Sequence, residues 1–454
     1  MTALETLPVA VIGAGPVGLA AAAHLLERGL EPLVLEAGPG VGSAIRDWGH
    51  IRLFSTWKYN LDPAAVRLLE AAGWEAPRPT ALPYGHEIVS QYLEPLAATA
   101  ELQHRIRTGA RVIAVTRDGM DKGRSRGREE TPFLLQVKLN SGELTEIRAR
   151  AVIDASGTWD SPAPLGSSGW AVPGESEARA TGVVTAPLPD VTVPGFAGHR
   201  TLVVGSGHSA ANMVLDLARL SRTNPRTEVL WAIRAATPAR AYGGGNADEL
   251  PARGQLGTRL RTAVETGSVQ LLTGFRTDRI ETADDGVTVH SADGRALTVH
   301  RVIAATGFRP DLSILSELRL DLDPAVDAPK ALGPLIDPDF HSCGTVPPHG
   351  ARILAQPEKD FYLAGMKSYG RAPTFLMATG YEQVRSIAAA LAGDTAAADA
   401  LELELPETGV CSTSLPTDTS DAADACCGSP EPVPVTIGFA TGLQHGRTGE
   451  PAIP

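Results

Sequence analysis

A strand, a glycine turn, a helix and a second strand occur twice in this chain, and that repetition constrains the fold more than any other feature. Val9-Ala10-Val11-Ile12 is a short apolar run of the kind a buried parallel strand requires. Gly13-Ala14-Gly15-Pro16-Val17-Gly18 follows, then an Ala-rich helix over 19–28 that ends before Gly29, then a strand over 33–35 closed by Glu36. Gly13 allows the tight turn, Gly15 lets the backbone approach a pyrophosphate, and Gly18 lets helix and strand pack closely. The helix N-terminus offers unpaired N–H groups and a positive dipole end to phosphate. Glu36, 23 residues after Gly13, can accept hydrogen bonds from a ribose. A glycine turn alone says little. Strand, glycines, helix, strand and acid in register specify a dinucleotide site rather than an ordinary βαβ unit.

The second copy begins 192 residues later. A strand over 201–204 leads into Gly205-Ser206-Gly207-His208-Ser209-Ala210, a helix over 211–220 and a strand over 228–233. Ala210 takes the third glycine position, which the fingerprint allows. The strand ends in Arg234, with Arg240 close behind, instead of an acid. A carboxylate there would repel a 2′-phosphate, whereas a guanidinium binds it bidentately. The second site therefore reads as NADPH rather than NADH; the alternative is that Arg234 is a solvated surface arginine.

At 454 residues the chain is long enough for two to four domains. A net charge of −12 argues against nucleic acid as a partner. The longest apolar stretch, 9–26, holds three glycines and a proline and lacks the flanks of a signal peptide, so the expected setting is cytoplasmic with no membrane contact. The charge is uneven. Residues 396–454 carry nine acids and one base, with seven prolines and few bulky apolar residues. Such a segment cannot offset its ordering entropy, and a disordered acidic tail is expected there.

Three further segments tie the two units together: 151–157 ending in Gly157, 302–311 containing Gly307, and 361–365 ending in Gly365, ahead of a helix from about Thr379 to Leu391. Thr379 is expected at the positive end of that helix, where negative charge is favoured. The pattern resembles the two-dinucleotide-binding-domain flavoproteins, which include thioredoxin reductases and flavin-containing monooxygenases. The resemblance implies an α/β fold with two Rossmann-like domains. FAD would sit in a discontinuous domain (1–160 and 306–395), the NADPH domain (161–305) would be inserted in it, and 396–454 would be the tail. It also implies FAD at Gly13, Gly15, Gly18, Glu36, Trp48, Gly157, Gly365 and Thr379. NADPH would lie at Gly205, Gly207, Ser209, Ala210, Arg234, Arg240 and Gly307.

The folded body holds only Cys343, so no internal dithiol of the thioredoxin reductase kind can be written. A lone cysteine of this sort is more often a small buried hydrophobe. Arg46-Asp47-Trp48-Gly49-His50 and Trp57-Lys58-Tyr59-Asn60 resemble the aromatic loop where monooxygenase-like relatives build the flavin face, although each aromatic could equally fill a core. A helix around Tyr92–Ala97 resembles the one that precedes their β-ribbon. Two departures bear on oxygen insertion. The Phe-x-Gly-x-x-x-His linker is absent, with Phe196-Ala197-Gly198 followed by Leu202 where histidine would stand, and Gly365-Met366 replaces Gly-Asp.

The nearest resemblance is to the monooxygenase-like flavoproteins of bacterial arsenic-resistance operons. It is carried by Ala155-Ser156-Gly157-Thr158-Trp159, by the second glycine turn, by the run 243–253 and by Tyr369-Gly370-Arg371-Ala372-Pro373-Thr374-Phe375. The activity implied is an NADPH-dependent FAD oxidoreductase acting on a small molecule or a metalloid, with oxygen as a candidate co-substrate and a homodimer as a candidate assembly. The residues that carry the chemistry beyond the cofactors are not identified by the sequence.

Cys411, Cys426 and Cys427 lie in the tail. Adjacent cysteines close a ring disulfide only with strain, and two or three thiolates suit soft, thiophilic ions. Trivalent arsenic favours three sulfurs, which the tail can supply; the pair also resembles that of mercuric reductases. The alternatives are incidental cysteines, or a metalloid-binding or sensing protein in which the flavin fold is only a scaffold.

Overall fold

The computed structural model describes residues 4–243, 251–283, 285–338, 346–373 and 375–403. All four cysteines, and with them the expected metalloid ligands Cys411, Cys426 and Cys427, lie outside the described residues. Two five-stranded parallel sheets organise the rest. The first has the order β16-β7-β1-β2-β3, with β1 at Val9–Ile12, β2 at Pro32–Leu35, β3 at Ile106–Arg107, β7 at Ala151–Asp154 and β16 at Phe361–Leu363. The second has the order β11-β10-β9-β15-β8, with β8 at Val184–Thr185, β9 at Arg200–Val204, β10 at Glu228–Ala232, β11 at Gln270–Leu272 and β15 at Arg301–Ala304. Each sheet carries an antiparallel three-stranded ribbon. These are β4 (Ala110–Arg117), β5 (Phe133–Leu139) and β6 (Leu144–Ala149) on the first, and β12 (Thr277–Ala283), β13 (Gly286–Ser291) and β14 (Ala296–Val299) on the second.

Strand alternation explains how each sheet is covered on both faces. In β1, Val9 and Val11 pack with α1 (Pro16–Glu27) and, beyond it, with Val384 and Ile387. Ala10 and Ile12 face the other way, onto Phe133, Leu135 and Val137 of the ribbon. The second sheet repeats this scheme. Val203, Trp231 and Ile303 pack on α2 (His208–Thr223) and on Leu260 of α3 (Pro251–Glu265), while Leu202, Leu230 and Val302 meet the ribbon residues Val287, Val289 and Val299.

Both glycine-turn helices start earlier than their apolar runs suggest. α1 begins at Pro16, where a missing N–H costs nothing, and α2 begins at His208. The long C-terminal helix α4 spans Met377–Leu391. The helix expected around Tyr92 is present over 85–97, but Val89–Leu93 is a π-helical turn leading into Glu94–Ala97, which has a proline at its start. Among the described residues no helix is long and apolar enough to cross a membrane.

The first glycine of each turn is fixed by the crossover strand beside it. A Cβ on Gly13 would lie 2.8 Å from the Ala155 carbonyl oxygen, and one on Gly205 would lie 2.0 Å from that of Ala305. Gly205 also has φ +135, which L-residues rarely adopt. Gly205→Ala is expected to destabilise the chain by about 3 kcal/mol, read as a fall in the urea midpoint. An unchanged midpoint would mean that the turn relaxes freely.

Beyond the expected body, α5 (Thr395–Asp399) packs on α4. Buried Arg385 pairs with Glu382 and donates to the carbonyl oxygens of Ala397 and Ala400, and the Ser386 hydroxyl donates to that of Ala398 at 2.6 Å. These carbonyls satisfy a guanidinium that would otherwise be buried with spare donors. Truncation after Leu403 is therefore expected to leave thermal stability unchanged, whereas truncation after Asp394 should lower the melting temperature by several degrees.

Candidate functional site

Both parallel sheets direct the C-terminal ends of their strands at one cleft of about 1440 Å³, the location at which open α/β sheets bind ligands. Single-ligand pockets are commonly about 300–1,000 Å³, so the cleft has room for more than one. Its lining includes eleven Arg and Lys residues against four Asp and Glu, the reverse of the chain's overall charge. Phosphate-bearing ligands fit such a wall.

The two glycine turns meet the cleft in the same way. Gly15 and Gly207 are the N-caps of α1 and α2, with φ −80 and −85, and neither helix has a side-chain cap hydrogen bond. A Cβ on either glycine would have no protein atom within 4 Å. Each turn thus leaves an open space in front of an uncapped helix N-terminus, the geometry that a pyrophosphate requires. Gly13, Gly15, Gly205, Gly207 and Ser209 line the cleft. Gly18 does not, because its Cα faces the Gly13 carbonyl oxygen, 1.9 Å from where a Cβ would stand; Ala210 is likewise fully buried under the second turn. These two serve helix–strand packing.

Glu36 ends β2 at the cleft, and both of its carboxylate oxygens already have partners. Oε2 accepts from the Ala14 N–H at 2.7 Å and Oε1 from the Gly38 N–H at 2.8 Å. The carboxylate holds the glycine turn in place and keeps lone pairs beyond these two bonds. Gly157 and Gly307 follow β7 and β15 with φ +70 and +94; both line the cleft, and a Cβ on either would meet no protein atom within 4 Å. The segments beyond them run together between the sheets. The Ala163 N–H donates to the Gly307 carbonyl oxygen, and the Arg309 N–H to that of Ser161.

At the other end, the Gly365 N–H donates to Gln383 Oε1 at 2.8 Å. The Gln383 amide in turn donates to Ser368 and to His349 Nε2. Burial pushes the His349 pKa below the ordinary imidazole value, so the neutral ring donates from Nδ1 to the Pro347 carbonyl oxygen. Beside this network, Lys367 lines the cleft and is buried on Asp154 Oδ2 at 2.7 Å and Ser156 Oγ at 3.1 Å. Sequence reasoning missed the pair, because its members stand 213 positions apart.

Several expected residues are placed differently. Thr379 is buried in the first turn of α4 and does not line the cleft; Met377, at the start of that helix, does. Of the aromatic loop, Trp48 lines the cleft and touches both cores, whereas Trp57 is buried in the first core. Ile51 lies wholly in the second core and the Phe54 ring meets His208 of α2 at 5.2 Å, so this loop joins the two sheets. Arg234 lines the cleft, and its side chain has no hydrogen-bond or ion-pair partner among the described residues. Arg240 also lines it but donates to the Pro338 carbonyl oxygen at 2.6 Å, a tie between the two halves. Arg261, over the Tyr242 ring at 5.1 Å, and Arg276 stand in the same cleft and were not anticipated. Among the described residues no group of three or more His, Cys, Asp or Glu could hold a metal.

Solved structures share the architecture. The bacillithiol disulfide reductase Bdr of Bacillus cereus superposes with a TM-score of 0.63 at 20% identity, over 85% of this chain and 99% of that one. The FAD-bound cadaverine monooxygenase of the desferrioxamine pathway from Erwinia amylovora gives 0.55 at 13% identity, over 91% and 99%. The ornithine N-hydroxylase of Kutzneria sp. 744, with reduced FAD, NADP+ and L-ornithine, gives 0.55 at 16%, over 86% and 99%. At these identities the likeness establishes a shared fold. No curated protein sequence matches the chain. Its residues 10–329 do match a family defined from sequence. Two glycine turns on two parallel sheets facing one cationic cleft, together with that match, show that the chain belongs to the pyridine nucleotide-disulphide oxidoreductase family of flavin-dependent enzymes.

Proposed function

We propose that the chain is an NADPH-dependent FAD oxidoreductase of monooxygenase-like type, acting on a small molecule or a metalloid in arsenic resistance. The observation that carries the cofactor reading is the pair of uncapped helix N-termini behind Gly15 and Gly207, which open on one cleft. Gly13, Gly15, Glu36, Gly157 and Gly365 would hold FAD, while Gly205, Gly207, Ser209, Gly307 and Arg234 would hold NADPH. The bound cofactors supply the redox chemistry, NADPH as two-electron donor and FAD as the carrier that passes electrons on.

The protein supplies position and charge. α1 and α2 present N–H groups and positive dipole ends to the two pyrophosphates. α4 aims its N-terminus, with Met377, into the cleft near Gly365, where it favours negative charge on a reduced ring. The Asp154–Lys367 pair fixes an ammonium one residue after Met366, which stands in place of the acid common in such proteins. The metalloid part of the reading rests on the sequence strings around Trp159, Ala210, Arg253 and Tyr369 and on the tail cysteines.

Purified protein should be yellow and should oxidise NADPH faster when its substrate is present. Steady-state NADPH oxidation across arsenite, organoarsenicals, mercuric ion and oxygen, with hydrogen peroxide measured alongside, tests this. NADPH consumption that no acceptor stimulates would instead favour a binding or sensing protein. The tail is tested separately. Truncation after Leu403 should abolish tight arsenite binding while FAD content stays constant, and binding to the full chain should weaken as pH falls, because protons compete for sulfur. Equal arsenite affinity in both proteins would reduce the cysteines to bystanders.

A further inference from the structure

The segment from Gly365 to the start of α4 does more than close the flavin end of the cleft. Its residues Tyr369, Arg371, Pro373, Phe375 and Met377 all line the cleft, an apolar wall whose one cation beyond the Asp154-bound Lys367 is Arg371. Tyr369 and Phe375 meet edge to face with centroids 5.1 Å apart. Arg371 stands between them in sequence, and its side chain is half exposed to the cleft.

The guanidinium is held from outside the cleft. Its Nε donates to Asp327 Oδ2, and Asp327 is not among the cleft residues. The supporting loop is built around buried Asp323, whose Oδ1 accepts from the Ala325 and Val326 N–H groups and whose backbone carbonyl accepts from the Asp327 N–H. Asp327 has φ +56, one of two non-glycine residues in the left-handed region among the described residues, and such outliers persist only where the surroundings over-determine them. The two loops are locked together as well. The Arg371 N–H donates to the Val326 carbonyl oxygen at 2.7 Å. A Cβ on Gly370 (φ +55) would lie 1.9 Å from that same oxygen, so glycine is needed for the approach.

Asp327 therefore occupies the Nε side of the guanidinium and leaves the terminal nitrogens for a ligand. The cleft's own carboxylates are engaged elsewhere: Glu36 by backbone N–H groups, Asp47 by the Trp159 indole, Asp160 by Arg111 and Asp311 by Ser313. An apolar wall with one pre-oriented bidentate donor recognises a molecule with an apolar body and one acidic group. We propose that Arg371, positioned by Asp327, anchors a substrate subsite for aromatic or other apolar acids. This rests on the cofactor reading above, which places the redox centre beside Gly365.

The test uses the full-length, flavin-loaded protein with benzoate and phenylphosphonate as acidic probes and benzamide as the neutral isostere. Binding is followed by calorimetry and by perturbation of the flavin spectrum. Both acids should bind saturably and at least about tenfold tighter than benzamide. Arg371→Met should remove that preference without changing flavin content or melting temperature. Arg371→Lys should restore part of it, since charge returns without the planar fork. Asp327→Asn, which keeps the guanidinium but loosens its hold, should weaken the acids several-fold and leave benzamide unchanged. Equal affinity for benzoate and benzamide, no saturable binding of either acid, or an Arg371→Met protein that still prefers acids would each overturn the proposal. Protein that purifies without flavin would count against the cofactor reading instead, and calorimetry with benzoate on that same protein would still decide the subsite.

Discussion

Gly15→Val is expected to fold normally and to purify colourless, with less than about a tenth of the FAD content of the parent protein. The two halves of that outcome have separate causes. Gly15 has φ −80, which any L-residue accepts, and a Cβ there meets no protein atom within 4 Å. The fold therefore loses nothing from the larger side chain. The space it fills lies in front of the uncapped N-terminus of α1, where the pyrophosphate would sit. Gly18→Val is the matching control. Its Cβ would stand 1.9 Å from the Gly13 carbonyl oxygen, so that variant should lose stability as well as flavin. Thermal melts with absorbance at the flavin band separate the two. A yellow Gly15→Val protein would falsify the assignment of the first turn.

Arg234→Glu should lower the preference for NADPH over NADH by roughly 30-fold, about 2 kcal/mol, through loss of NADPH affinity. Arg234 has no hydrogen-bond or ion-pair partner among the described residues, so its charge reversal breaks no ion pair seen in the fold. Arg240→Glu should have a smaller effect on nucleotide choice, because Arg240 is committed to the Pro338 carbonyl oxygen. Comparing 2′,5′-ADP with 5′-ADP by calorimetry reads the 2′-phosphate directly and needs no turnover. Unchanged discrimination in Arg234→Glu would pass that role to another of the cleft cations, with Arg261 and Arg276 the next to be substituted.

The two dinucleotide folds were legible in the sequence because their determinants are local. A run of apolar residues, a turn of glycines and an Ala-rich helix all lie within about thirty residues, and backbone sterics fix what each glycine is for. Of the turn residues that pattern singles out, Gly13, Gly15, Gly205 and Gly207 line the cleft, while Gly18 and Ala210 do not. The family of flavin-dependent oxidoreductases followed from the recurrence of that pattern together with the connecting segments that end in Gly157 and Gly307.

What the tertiary structure decided is long-range. Lys367 on Asp154, Gln383 between Gly365 and His349, and Asp327 behind Arg371 join elements that no sequence period relates. Chain folding also settled where equivalent residue types go. Trp48 lines the cleft while Trp57 fills the core, although both belong to one aromatic loop. Arg234 faces the cleft without a partner among the described residues and Arg240 ties the two halves together, although both follow the same strand. Residues 396–403 look like the start of an acidic tail until Arg385, 12 positions before Ala397, is seen to need their carbonyl oxygens. Local sterics are written in adjacent residues, whereas a buried charge takes its partners from whichever backbone the fold brings within hydrogen-bonding reach.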